Sequence, residues 1–485
     1  MSSELYAISA TEALERFRDR SLSPVELLDA VIARAEEVEP TVNALVHERH
    51  DEARVEARAA EQRYVAWAER GGPEPRALEG LPLAIKEEEA VAGQPWTQGS
   101  LTYKDLVAEH SSNFAQRMLD AGAIVHARTT APEYSCAFFT HSRIHGVTRN
   151  PWNPAFGVGG SSGGAGAALA SGTTTLASGS DIGGSIRAPA SFNGVVGFKP
   201  PYGRVPQEAP FNLDTYCHVG PLARTVADTA LYENAIAGPA PDDIASLRPK
   251  YVLPSDFEPV EGLRVAVSTD LGSWPVDPEI RANTLAVAEA LRGAGALVEE
   301  VDLVVDREKV RRATAIHFHL GFGEWIGAEA AAHADTVTAY AAEFARRIAG
   351  YAAGGTLLEK HTLEAELYAP VGALLDRYDA LICPTMATRG LVAGDDYIDT
   401  VLTVDGVDLE FYFDAGLTPV FNIMSRCPVL NVPSGFADNG VPTGVQIAAR
   451  TYDDLTTFRV GAAIEAARPW PLIAPARAST GEVAA

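Results

Sequence analysis

The sequence predicts an α/β fold built on a central sheet, and three observations carry that expectation. Short apolar runs alternate with helical stretches, as in Leu81–Ile85, then Phe114–Ala121, then Ile124–Ala127. A strand–helix–strand pattern recurs at 263–267, 278–292 and 297–298. The glycine- and serine-crowded stretch 157–203 is threaded with Ile182, Ile186, Val195, Val196 and Phe198, which a flexible linker would lack.

Residues 1–70 read as helices. Ser9-Ala-Thr-Glu12 and Ser23-Pro24-Val-Glu26 both have capping-box spacing, where serine and glutamate satisfy free backbone N–H groups reciprocally. Pro24 suits the first helical position, which needs no N–H. Val25, Leu28, Val31, Ile32 and Ala35 then recur at helical spacing. Residues 48–69 form a charged, alanine-rich helix, which Gly71-Gly72-Pro73 breaks. Residues 76–225 make up the glycine-rich core stretch, and 226–378 is a more variable, helix-rich region, alanine-rich over 306–377. Residues 379–485 return to apolar strands at 380–383, 429–432 and 444–447, and a helix near 453–467 closes the fold. Asp405-Gly406, between Thr403-Val404 and Val407-Asp408-Leu409, signals a hairpin because such turns need positive φ. With no internal repeat and no sharp change of composition, one domain over 1–485 is expected.

A hydrophobic fraction of 47% with 21% charged residues is that of a globular protein. The net charge of −25 sets the chain against phosphate backbones and anionic membranes, so neither is an expected partner. No run is long enough to span a membrane, and Met1-Ser-Ser-Glu-Leu-Tyr6 opens no apolar signal-peptide core. The expected location is cytoplasmic. Cys136, Cys217, Cys383 and Cys427 are widely spaced and read as buried free thiols, since no Cys-x-x-Cys pair exists. His141-x-x-x-His145 and His317-x-His319 have no third ligand close in sequence, so no metal is expected.

Two glycine–serine clusters are the most specific feature: Gly159-Gly160-Ser161-Ser162-Gly163-Gly164 and Ser180-Asp181-Ile182-Gly183-Gly184-Ser185-Ile186-Arg187. Glycines permit tight turns and close approach of a ligand to the backbone, and successive N–H groups form a concave site for negative charge. A serine ending such a turn can attack an acyl carbonyl while the N–H groups of Ile182, Gly183, Gly184 and Ser185 hold the oxyanion. That serine needs a base. Neither cluster contains histidine, whereas Lys86 ends a buried apolar run, where burial disfavours the ammonium form. A phosphate-binding loop is excluded because no Gly-x-x-x-x-Gly-Lys-Ser/Thr occurs.

Lys86, the two clusters, Val195-Val-Gly-Phe-Lys-Pro200 and Tyr202-Gly-Arg-Val205 together resemble the amidase signature family. Thr97-Gln-Gly-Ser100, Ala127-Arg-Thr-Thr-Ala-Pro-Glu133, Asp379–Thr385 and Gly440–Gln446 extend the resemblance over most of the chain. It implies the amidase signature fold, a mixed central sheet covered by helices on both faces, and a Ser–Ser–Lys triad. Lys86 matches the base, Ser161 the bridging serine after a cis peptide, and Ser185 the nucleophile. No cofactor is implied, and dimerisation is implied by the resemblance alone. Asp181 and Arg187 read as an ion pair bracing the nucleophile loop.

Two positions depart from the family pattern. Glu87-Glu88-Glu89 stands where Asp usually follows the lysine. In an extended segment Glu87 and Glu89 face away from Lys86, so Glu88 is the neighbour that matters, and a tight Lys86–Glu88 contact would count against the assignment. Ser180 replaces a common Thr, with little expected consequence. Tyr134, Phe138, Phe139 and Trp152 either line a pocket or belong to the core.

The implied reaction is hydrolysis of a carbonyl C–N bond through an acyl-enzyme. The substrate class is small amides and anilides, or carbamates (urethanes), with ester cleavage as a side activity. Two other readings stay open. One is a glutamine-hydrolysing amidotransferase component that serves charged tRNA, and the other is a catalytically silent binding protein of the same fold.

Overall fold

The computed structural model describes residues 5–475. Met1–Glu4 and the last ten residues of the expected 1–485 span lie outside that range. The strands are β1 (Leu45–Val46), β2 (Pro82–Lys86), β3 (Ile124–Thr129), β4 (His141–Ser142), β5 (Gly146–Val147), β6 (Leu176–Asp181), β7 (Val196–Lys199) and β8 (His218–Ala223). They continue with β9 (Arg264–Val267), β10 (Leu297–Glu300), β11 (Ala380–Pro384), β12 (Thr403–Val404), β13 (Val407–Asp408), β14 (Val429–Phe436) and β15 (Pro442–Ala449). Eleven of them form one mixed sheet in the order β1-β3-β2-β6-β8-β7-β14-β15-β11-β9-β10. β2 runs parallel to both β3 and β6, whereas β6, β8, β7, β14, β15 and β11 pair antiparallel in turn. The β12–β13 hairpin turns at Asp405-Gly406, both at positive φ.

Helices flank the sheet. Helix Pro24–Val42 opens with a complete Ser23/Glu26 capping box, while at helix Ala10–Arg18 Ser9 accepts from the Glu12 N–H. Leu14, Phe17, Leu27 and Val31 of these helices pack against Leu81, Leu83, Ile85 and Val125. Helices Pro278–Gly293 and Asp454–Ala467 contribute Val287, Leu291, Phe458 and Ile464 to a core with Val265, Val267, Leu430, Val432, Val445 and Ile447. Helices of the middle region, Arg307–Phe318, Ala339–Ala352 and Leu357–Leu375, join Phe138, Phe139, Tyr412 and Phe421 in the largest apolar cluster. Inside the glycine-rich stretch lie two short helices, Gly163–Ser171 and Arg187–Asn193. Small residues let these pack on each other: a Cβ on Gly166 would meet Asn193 Nδ2 at 2.7 Å.

All four cysteines are buried free thiols. Burial pushes Cys383 up to about 12 and Cys427 to about 11, and raises Cys136 and Cys217 as well. No described helix is long and apolar enough to cross a membrane.

Candidate active site

β2 delivers Lys86, fully buried, to the end of the sheet. Its parallel neighbour β6 ends at Asp181, so the loop 182–185 leaves the sheet beside it. The Lys86 N–H donates to Ser178 Oγ at 2.8 Å, tying the two strands together. Ser161 precedes helix Gly163–Ser171, and the Gly160–Ser161 peptide is cis. The turn is pressed against the chain: a Cβ on Gly160 would lie 2.5 Å from Ala137 O, and one on Gly164 2.4 Å from Thr130 Oγ1. The Ser162 N–H donates to Ser185 O at 3.2 Å, joining the two clusters. Buried Arg128 donates to Ile85 O at 3.2 Å, to Lys86 O at 3.0 Å and to Glu89 O, fixing the turn after the lysine.

Lys86 Nζ donates to Ser161 Oγ at 2.7 Å and to Ser180 Oγ at 2.9 Å. It also lies 3.0 Å from Glu88 Oε2. Segment 87–89 is a turn, not extended chain, and Glu88 alone of its three carboxylates reaches the amine. The contact that counts against the assignment is therefore present, and the sequence expectation of an amine set beside hydroxyls alone is corrected: Lys86 is shared between two hydroxyls and the Glu88 carboxylate. The hydroxyls of Ser180 and Ser135 also donate to Glu88. Burial pushes the Glu88 carboxyl up, but the Lys86 charge and these two hydroxyls outweigh it and hold the group below its ordinary value. Ser180, which keeps the hydroxyl of the common Thr, touches both charged groups through it.

The second cluster carries the donors. Among the described residues, the N–H groups of Ile182, Gly183, Gly184 and Ser185 donate to no protein acceptor. Gly184 has φ 133°, and a Cβ there would fall 2.0 Å from Thr418 Oγ1. Thr418 in turn donates to Gly183 O at 2.6 Å, pinning the loop. Asp181 and Arg187 form a fully buried pair with contacts of 2.8 and 2.9 Å. Burial pushes the Asp181 carboxyl up, yet the Arg187 charge and hydrogen bonds hold it at about 2. Arg187 also donates to Asn422 Oδ1 at 2.7 Å, Gln446 Oε1 at 2.5 Å and Thr418 O at 2.9 Å, linking the loop to β15 and to the short helix Pro419–Ile423 with its N-cap. The Ser185 side chain is nearly buried, and its hydroxyl makes no hydrogen bond among the described residues.

Of the aromatic residues weighed from sequence, Phe138 stacks on Phe413 at 4.1 Å. Phe413 and Phe318 face the loop: a Cβ on Gly183 would meet Phe318 Cζ at 3.1 Å and Phe413 Cε1 at 3.8 Å. Trp152 instead donates to Asn193 O at 2.9 Å and packs on Phe436, and Phe139 packs on His141 and Tyr340. Phe318, Phe413, Thr418, Asn422 and Ser135 were not found by sequence reasoning. Ser135 adjoins the 127–133 motif without belonging to it, the other four lie far along the chain from the glycine–serine clusters, and only their chemical type could have suggested them.

Residues 26–458 match the family described as Amidase. The chain is 34% identical over 475 residues to an acylamidase of Rhodococcus erythropolis, covering 96% of each chain. It is 31% identical over 480 residues to a glutamyl-tRNA(Gln) amidotransferase subunit of Thermosynechococcus vestitus, covering 92% of this chain and 95% of that one. Among solved structures it is similar to a bacterial aryl acylamidase of the amidase signature enzymes, with TM-score 0.86, 30% identity and 96% of both chains covered.

Proposed function

The chain belongs to the amidase signature family of hydrolases, and from that premise we propose that it cleaves the carbonyl C–N bond of small amides, anilides among them, or of carbamates. The single observation that carries this reading is the 2.7 Å contact of Lys86 Nζ with Ser161 Oγ beside a loop whose four N–H groups have no protein acceptor among the described residues.

Ser185 attacks the carbonyl carbon as its hydroxyl proton passes to Ser161, and Ser161 passes its own proton to Lys86 in those molecules whose amine, despite the Glu88 carboxylate 3.0 Å away, carries none. The oxyanion settles on the N–H groups of residues 182–185. The proton then returns along the same route to the leaving nitrogen, because an amine departs only when protonated. The C–N bond breaks, and water, activated by the same relay, cleaves the acyl-enzyme. Amide, carbamate and ester pass through the same kind of tetrahedral oxyanion, so ester cleavage accompanies the main activity. Phe318 and Phe413 at Gly183 favour an apolar or aryl group next to the reacting carbonyl. The similarity to an acylamidase and to an aryl acylamidase supports the same choice.

A second reading, ammonia supply to charged tRNA, draws on the nearly equal identity to the amidotransferase relative. The net charge of −25 weighs against a tRNA partner. The test is a hydrolysis screen of size-matched anilides, aliphatic amides and carbamates, together with labelling by a fluorophosphonate. Turnover with the adduct on Ser185 supports the proposal. Turnover of glutamine alone, dependent on a second protein, supports the second reading. No adduct and no turnover would indicate a silent binding protein.

A further inference from the structure

Next to the catalytic lysine, three segments far apart in sequence bring two imidazoles onto one buried carboxylate. His47 follows β1, His145 sits in the turn between β4 and β5, and Glu87 follows β2. Glu87 Oε2 lies 2.7 Å from His145 Nε2 and 3.6 Å from His47 Nε2. One ligand atom from each of the three residues can be chosen so that all lie within 4.8 Å of one another. The spacing of His141 and His145 gave no sign of this, because the other two donors lie well upstream of both, at positions 47 and 87.

The arrangement is held from outside. Asn43 Nδ2 donates to His145 O at 2.7 Å and Val147 O at 3.2 Å, fixing the His47 segment to the His145 turn. The Gly99 N–H holds Glu87 Oε1, and Thr97 Oγ1 lies 2.7 Å from both carboxylate oxygens, leaving Oε2 turned to the histidines. One donor is left over: His47 Nε2 is buried and has no hydrogen-bond partner among the described residues. A plain His145–Glu87 bridge does not account for it.

We propose that His47, Glu87 and His145 form a binding site for a divalent first-row transition-metal ion, zinc by preference. Two neutral imidazoles and a carboxylate are a donor set that suits Zn²⁺. Ligand distances near 2.0–2.2 Å put donors about 3.4 Å apart in a tetrahedron, and the observed 2.7 and 3.6 Å bracket that spacing. The His47 side chain is 24% exposed, so the group lies close to the surface. The ion takes no part in acyl transfer, so this proposal stands or falls apart from the hydrolytic one.

The test is a Co²⁺ titration of the full chain after chelator treatment, followed by visible absorption. One equivalent of Co²⁺ gives a tetrahedral d–d band that Zn²⁺ abolishes. In His47→Asn, which tolerates the left-handed backbone that His47 adopts at φ 50°, affinity falls tenfold or more. An exposed-histidine control, His110→Ala, binds as the unaltered protein does. Absence of a saturable band in the unaltered protein, or equal affinity in a folded His47→Asn, overturns the site. Thermal unfolding without metal establishes that the variants are folded. Saturating Zn²⁺ raises the midpoint of the unaltered protein but not of His47→Asn, and an equal rise in both also overturns it.

Discussion

Lys86 Nζ lies 3.0 Å from Glu88 Oε2, so the same amine that touches Ser161 also stands against a carboxylate. Freeing that amine of its proton leaves the carboxylate without its partner charge. Glu88→Gln removes the charge and keeps the shape. Its acid limb of kcat/KM against pH is expected to move about one unit lower. An unchanged profile means that Glu88 does not govern the proton on the relay.

Ser185→Ala and Ser161→Ala are each expected to lower kcat by at least about a thousandfold, as for residues that act as one unit. Both side chains are small, so the thermal midpoint stays within a few degrees. Lys86→Ala has the same kinetic effect but also strips Glu88 of its buried partner. It loses stability, which the double variant Lys86→Ala, Glu88→Gln regains in part. Steady-state kinetics with thermal melts separates the two effects.

Gly184→Ala places a Cβ 2.0 Å from Thr418 Oγ1 at a φ of 133°. Strain and overlap together cost about 1–3 kcal/mol. Because the displaced N–H groups hold the oxyanion in the proposed mechanism, kcat falls further than KM rises. Equal kinetics in a folded Gly184→Ala would remove the loop from the mechanism.

Arg187→Met leaves Asp181 buried without its cation, and a loss of about 3–5 kcal/mol is expected in denaturant unfolding. Asp181→Asn in the same chain recovers part of it, since the uncompensated charge is then gone.

Glu39 gives a pH-dependent term. Its Oε2 accepts from the N–H groups of Ala44 at 2.7 Å and Leu45 at 2.9 Å, while Oε1 is buried without a partner among the described residues. Burial raises the group to about 7 from 4.5. Between those values the folded chain holds a proton that the unfolded chain has lost, so the term is full below 4.5 and gone once pH passes 7. Glu39→Gln removes the titration. It is expected to be about 1–3 kcal/mol more stable than the unaltered protein at pH 8 and nearly equal at pH 4.5, by urea unfolding at both.

The sheet was legible where strands are continuous apolar runs, as at β2, β11 and β15, because burial on both faces writes itself into composition. Helix Gly163–Ser171 was not, since it is made of glycine, alanine and serine with one leucine and is buried on every side. The Lys86, Ser161 and Ser185 motifs stood out because close packing around glycine permits few alternatives. Phe318, Phe413 and the His47–Glu87–His145 group stayed hidden because tertiary contact alone brings them together. Glu88 was singled out from sequence, but its shared contact with Lys86 and Ser180 depends on the turn at 87–89, which three adjacent glutamates do not announce.

The four sequestered sulfhydryls give the enzyme an internal gauge of its own integrity. With burial raising all four thiols, the native chain is expected to react slowly with maleimides and with mild peroxide. Each cysteine that becomes alkylated would then report a stretch of chain that has come open.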